Sequence, residues 1–233
     1  MKLLLFDIDG TLLGSRTGIG RHALEMAFRK VIGRTVEIPL ARCAGRPDPY
    51  IVDKTFEAES LPVDPRTRAD VLREYIKILE RDYSIENGAF AYPGVERLLE
   101  ELGRRADTVT GLLTGNVREG ARIKLSVFDL WKYFAVGAFG SDSDDRAALP
   151  PIAIKRAQDS TGHRYAPRDV YVIGDTIHDV RAGQAHSLVT IAVGTHQEWV
   201  DEMIAARPDH FLSSLADFDG FIAAIDGERQ PAV

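Results

Sequence analysis

Four large apolar residues, Leu3 to Phe6, run without interruption and are closed by Asp7-Ile8-Asp9-Gly10-Thr11. A short continuous apolar run stopped by polar and turn-forming residues predicts a buried parallel strand whose C-terminal end opens into a crevice, where open α/β sheets bind ligands. From Ile19 to Ile32 the pattern changes to helical spacing, with Ile19, Ala23, Met26, Ala27 and Val31 on one face and Gly33 as the stop. Pro39, Gly45, Pro47 and Pro49 punctuate a loop, and a short helical pattern follows around Ile51 to Phe56. After Pro62 and Pro65, Val71, Leu72, Tyr75, Ile76 and Leu79 again share a helical face. Residues 15–88 are therefore expected to be mostly helical and without strands.

Beyond Tyr92-Pro93-Gly94 strands and helices alternate. A helix carries Val95, Leu98, Leu99 and Leu102 and stops at Gly103. A β-prone run from Asp107 to Leu113 ends in Thr114-Gly115-Asn116 ahead of a helix from about Arg118 to Val127. Phe134 to Phe139 is a weaker strand candidate, and a helix starts near Pro150 or Pro151, where the first turn needs no amide donor. Val170 to Ile173 is a strand ending in Gly174-Asp175-Thr176, with a helix from Ile177 to Gln184, a strand from Leu188 to Val193 and a helix from Glu198 to Ala205 behind it. Phe211-Leu212 and a helix near Ala216 to Ile225 close the chain. Parallel neighbours need crossover helices, so the alternation predicts an α/β fold with a doubly wound parallel sheet. The expected organisation is a catalytic core from residues 1–14 and 89–233, with residues 15–88 as a helical cap inserted after the first strand.

Composition narrows the functional classes. The chain has 233 residues, enough for one large domain or a domain with an insertion. Its formal net charge is −6 with Lys and Arg scattered among acids, which leaves no basic footprint for nucleic acid or an anionic membrane. A phosphorylated substrate would need a locally positive pocket. Cys43 is the single cysteine, which excludes an internal disulfide, fits a reducing cytoplasm and is assigned no role. The apolar run before Asp7 is too short for a secretory leader and no stretch reaches transmembrane length, so a cytoplasmic location is expected.

Three strand-like runs end in polar clusters: Asp7 with Asp9, then Thr114-Gly115-Asn116, then Gly174-Asp175 with Asp179 four residues on. In a parallel sheet these ends lie on one edge and converge. Taken alone, Asp7 to Gly10 also reads as a strand ending in an Asx-type turn. Three or four carboxylates in one small space repel unless a hard cation is present, and carboxylates, waters and a phosphate oxygen suit magnesium.

With their order and spacing, Asp7-Ile8-Asp9-Gly10-Thr11, Thr114, a cation ahead of a helix, and Gly174-Asp175 with Asp179 resemble the four motifs of the haloacid dehalogenase superfamily of phosphohydrolases. The helical insertion after the first motif resembles that family's first cap type, found in phosphoglycolate phosphatase-like members and β-phosphoglucomutases. The resemblance implies a Rossmann-like core and a magnesium-dependent phosphatase acting on a small phosphorylated metabolite. Under it Asp7 is the nucleophile that forms an aspartyl phosphate, and Asp9 is the general acid and base. Asp7, the backbone carbonyl of Asp9, and Asp175 hold magnesium, with Asp179 supporting the site. Thr114 and the Gly115 amide bind phosphoryl oxygens, helped by the positive end of the following helix. Gly10 and Thr11 shape the turn.

The family usually places a lysine before the third-motif helix, and here Arg146 stands at about that place while Lys155 lies inside the helix. Arg146 is preferred because a loop residue reaches the strand ends more easily; Lys155 is the alternative. Arg46, in the cap loop Ala44 to Asp48, is similar in place to the family's substrate-specificity loop, or is a surface arginine in a turn. His178 suits a supporting or partly exposed role rather than a ligand to a hard cation. The remaining histidines show no ligand spacing, Trp131 and Trp199 read as packing residues, and the Asp142 to Asp145 run reads as a solvated loop. A phosphomutase of the same fold is the nearest alternative, and a phosphoacceptor or binding module is the alternative of another class. Asp9 disfavours a dehalogenase, whose relatives lack that acid. Neither substrate identity nor oligomeric state is legible.

Overall fold

The structure is a computed structural model describing residues 1–227, so residues 228–233 of the expected core segment lie outside the described residues. In chain order, β1 (Lys2–Phe6) and β2 (Leu13–Ser15) precede α1 (Ile19–Ile32), α2 (Leu40–Cys43), α3 (Asp48–Ala58) and α4 (Pro65–Asp82). Next come β3 (Ala89–Ala91), α5 (Val95–Arg104), β4 (Thr108–Leu113), α6 (Arg118–Ser126), β5 (Val136–Ala138) and α7 (Leu149–Thr161). The chain continues through β6 (Val170–Gly174), α8 (Ile177–Gln184), β7 (Val189–Val193), α9 (Gln197–Ala205), β8 (His210–Leu212) and α10 (Phe218–Asp226).

Six strands form one parallel sheet in the order β5-β4-β1-β6-β7-β8, the α/β architecture that the strand and helix alternation predicts. The apolar run of β1 is explained by its central place, because a strand covered on both faces buries every side chain. Leu4 and Phe6 join a core with α5, α6 and α10, while Leu3 and Leu5 face the opposite way into a core with α7. Each such side chain contributes about 1.5–3 kcal/mol on burial. Phe6 lies opposite Leu112 of β4 and Ile173 of β6, so Asp7, Thr114 and Asp175 leave the sheet at one edge.

Helices α1, α3 and α4 share a separate apolar cluster around Phe28, Phe56, Tyr75 and Leu79. Gly33 at φ 70° ends α1, and its N–H donates to the Arg29 carbonyl. Asp64 caps α4 by accepting from the Thr67 N–H, with Pro65 opening the helix. Three short elements escaped the sequence reading: α2, in the stretch read as a loop, and β2 and β3, which pair antiparallel in a ribbon bounding the helical segment, with Ser15 opposite Ala89. Strands of three residues are too short for alternation to reveal, and β2 (Leu-Gly-Ser) also lacks the apolar run that marks a buried strand. Among the described residues, no helix is long and apolar enough to cross a membrane.

Candidate active site

Past the end of β1 the backbone turns through Gly10 at φ +87°, and the turn is closed by its N–H to the Leu13 carbonyl at 2.8 Å. A Cβ at Gly10 would stand 2.1 Å from Asp175 Oδ2, so only glycine lets this turn approach the end of β6. Thr11 donates from its hydroxyl to Asp175 Oδ1 at 2.9 Å, fixing that carboxylate.

Asp7, Asp175 and Asp179 are all buried, and one oxygen from each lies within 4.8 Å of the others. Asp179 is oriented by a capping box at the start of α8, where the Thr176 N–H and hydroxyl donate to Oδ2 at 3.1 and 2.7 Å. A Cβ at Gly174 would fall 2.1 Å from Asp179 Cγ, so this contact also depends on a glycine. Burial pushes the Asp7 carboxyl up to about 6, against the lowering effect of Arg146 and with added repulsion from Asp179 and Asp9. Asp175 is raised well above the ordinary carboxylate range by burial, then by Asp7 and Asp179. An all-oxygen set of buried, mutually repelling carboxylates fits a hard divalent cation.

Arg146, in the turn before α7, is 6% exposed, and its Nη2 lies 3.1 Å from Asp7 Oδ2 and against Asp179 Oδ1. Nη2 also donates to the Leu113 carbonyl and Nη1 to the Gly45 carbonyl, both at 3.2 Å. Burial opposes the guanidinium charge, but Asp179 and Asp7 outweigh it and hold the group charged. Lys155 stands elsewhere: it is exposed on α7 and pairs with Asp159. The neighbouring acids do not claim Arg146 either, since Asp142 pairs with Arg156 and Asp145 accepts from the Ala147 N–H.

Asp9 lies outside the carboxylate triad. Its side chain, about half exposed, accepts from Lys124 Nζ at 2.6 Å and from Asn116 Nδ2 at 2.8 Å. Thr114 is fully buried, and its Oγ1 accepts from Asn116 Nδ2 at 2.9 Å. The carbonyl of Gly115 accepts from the Asp48 N–H at 2.8 Å, and a Cβ there would lie 2.3 Å from the Arg46 carbonyl oxygen. The segment Ala44 to Asp48 thus docks directly on the strand ends. Asp48 Oδ2 accepts from the Val117 N–H at 2.8 Å, so a carboxylate from the helical segment occupies the N-terminal end of α6. Burial drives Asp48 up to about 6, with Lys124 and the Val117 bond acting in opposition.

Asp7, Asp9, Asp48, Thr114, Asn116, Lys124, Arg146 and Asp175 line a cavity of about 400 Å³ that also takes in Arg46, Tyr83, Tyr92 and Trp199. Arg46 sits over the Tyr50 ring at 5.0 Å. Trp131, by contrast, packs against the main core. His178 is half-buried, and burial with the nearby Arg46 pulls it down to about 4.

Sequence reasoning missed Lys124, Asp48 and the hydrogen-bonding part played by Asn116. Lys124 carries the one available signal, because it shares a face of α6 with Gly120 and Ala121, and a lysine on a small-residue face marks close packing rather than solvent.

A family model described as haloacid dehalogenase-like hydrolase matches residues 4–184. The chain is 26% identical over 220 residues to a phosphoglycolate phosphatase of Vibrio vulnificus, covering 93% of each chain. It is 31% identical over 201 residues to the tyrosine-protein kinase PtkA of Mycobacterium tuberculosis, covering 83% of this chain and 62% of that one. Among solved structures, CbbY from Rhodobacter sphaeroides in complex with phosphate superposes with a TM-score of 0.78 at 19% identity, over 97% of this chain and 99% of that one.

Proposed function

This chain belongs to the haloacid dehalogenase-like hydrolases and is a phosphatase of that family, and from that premise we propose that it hydrolyses a small organic phosphate monoester with magnesium through an aspartyl phosphate on Asp7. The observation that carries the reading is the buried meeting of Asp7, Asp175 and Asp179 with Arg146 at the ends of β1, β4 and β6. The relatives' names span several phosphoryl-transfer activities, so the phosphoglycolate phosphatase likeness supplies the substrate class and not the substrate.

Asp7 attacks phosphorus, and the ester oxygen departs with a proton from Asp9, leaving a phosphoryl group on the Asp7 carboxylate. Water then attacks that phosphoryl group, Asp9 takes its proton, and Asp7 is regenerated with inorganic phosphate as the other product. The Thr114 hydroxyl, the Gly115 N–H and Arg146 hold the phosphoryl oxygens where charge develops. Asp7, the Asp9 carbonyl and Asp175 would hold magnesium with Asp179 in support, and the ion would neutralise charge on the transferring group. Residues 15–88 act as the cap, and Arg46 faces the far end of the substrate. The docked Ala44 to Asp48 segment excludes bulk water from this chemistry.

A panel of phosphorylated metabolites assayed with magnesium and with EDTA tests the reading. Phosphate release confined to magnesium is expected, and equal release in EDTA contradicts it.

A further inference from the structure

Beside Asp9, where a leaving group must sit, the cavity holds polar groups that the mechanism above does not use. Lys124 reaches in from α6 and is 4% exposed. Its hydrogen bond to Asp9 uses one of its three N–H donors, and among the described residues no second acceptor is bonded to it. Tyr83, at the end of α4 and 4% exposed, places its ring 5.9 Å from Lys124 Nζ, and its buried hydroxyl has no hydrogen-bond partner among the described residues. Asn116, 5% exposed, spends its amide N–H donors on Asp9 and Thr114 while its buried Oδ1 is likewise unpartnered. All three side chains line the same cavity. Buried polar groups without partners are costly, and a cluster of them around one cavity is a place built for a complementary ligand group. Two donors and one acceptor ask for an oxygen that accepts from Lys124 and Tyr83 while a hydroxyl donates to Asn116.

We propose that Lys124, Tyr83 and Asn116 form a leaving-group subsite that selects phosphate monoesters carrying a hydrogen-bonding oxygen next to the ester carbon, over esters of plain hydrocarbon alcohols. The inference rests on the phosphatase reading of the same site. A hydrocarbon leaving group would leave the Tyr83 hydroxyl and Asn116 Oδ1 unpaired and offer Lys124 no acceptor beyond Asp9, so discrimination comes from rejection of the wrong ester as much as from attraction to the right one. Lys124 links this choice to the reaction, because the ammonium that meets the substrate also holds Asp9 in place.

The test uses wild type, Tyr83→Phe and Lys124→Met with magnesium on two near-isosteric esters, glycerol phosphate and propyl phosphate, with nitrophenyl phosphate as a general probe. Wild type is expected to prefer glycerol phosphate by at least about tenfold in kcat/KM, and each variant to shrink that preference by about tenfold. Tyr83→Phe removes only an unpartnered hydroxyl, so it should act through KM for glycerol phosphate with no fall in Tm, which separates selection from misfolding. If wild type turns over nitrophenyl phosphate yet shows no preference between the two alkyl esters, or if both variants keep the preference, the subsite is overturned and the phosphatase reading stands. If wild type hydrolyses none of the three while the metabolite panel shows magnesium-dependent release, the subsite is overturned and the phosphatase reading stands; if the panel shows none either, both fall.

Discussion

Replacing Asp48 with asparagine should stabilise the protein near neutral pH while leaving it unchanged in acid. Asp48 is buried at the start of α3, and burial lifts its carboxyl from 3.8 to about 6 even though Lys124 and the Val117 N–H both favour the charged form. A carboxyl whose folded value is raised favours folding while protonated. Its full contribution is present below 3.8 and is lost as pH rises through about 6. The gap of about two units, at ~1.4 kcal/mol each, amounts to about 3 kcal/mol of strain in the ionised wild type. Asparagine has nearly the same shape and keeps an oxygen for the Val117 N–H, so Asp48→Asn resembles the protonated wild type at every pH. For a chain of this length the gain is about 6–12 °C in Tm near pH 7.5, falling to almost nothing near pH 4. Calorimetric unfolding of both proteins in EDTA at the two pH values measures the difference directly. A variant less stable than wild type near neutrality would refute the reasoning, since attraction to Lys124 and α6 would then outweigh desolvation.

Three further outcomes follow from the site. Magnesium at about 100 times its dissociation constant should stabilise wild type by about 2.7 kcal/mol and Asp175→Asn far less, read as a thermal shift; equal shifts would move the metal elsewhere. Arg146→Met should cost about a hundredfold or more in kcat/KM, while Lys155→Met, which removes only an exposed ion pair with Asp159, should stay within about twofold. Steady-state kinetics on both variants decides, and the reverse ranking would restore Lys155 as the phosphoryl-binding cation. Gly115→Ala would press a Cβ to 2.3 Å from the Arg46 carbonyl oxygen and should push the Ala44 to Asp48 segment off the strand ends, lowering kcat/KM by about tenfold. Unchanged kinetics would show that this docking has no part in turnover.

What the sequence made legible follows from how parallel sheets are built. Apolar runs that stop at Asp7, Thr114 and Asp175 are visible one segment at a time, and the fold class brings their ends together without any knowledge of side chains. The preference for Arg146 over Lys155 rests on a reach argument; in the structure Arg146 is buried against Asp7 and Lys155 is exposed against Asp159. The contacts that escaped cross between the helical segment and the core. Asp48 falls between two prolines in what the sequence shows as a loop, and nothing local shows that its carboxylate meets the Val117 N–H on another element. Lys124 shares a small-residue face with Gly120 and Ala121, but what buries it beside Asp9 is the packing of α4 on α6, which no local pattern shows. The β2 and β3 ribbon was hidden for a simpler reason, since its strands have three residues each.

The account turns on Asp7 as the group that takes the phosphoryl. Asp7→Asn keeps the shape of the side chain but removes the attacking carboxylate, so a folded variant assayed with magnesium on an ester that wild type hydrolyses should lose at least about a thousandfold in kcat. Hydrolysis by Asp7→Asn at a rate close to wild type would contradict the aspartyl-phosphate route and the site assignment built around it.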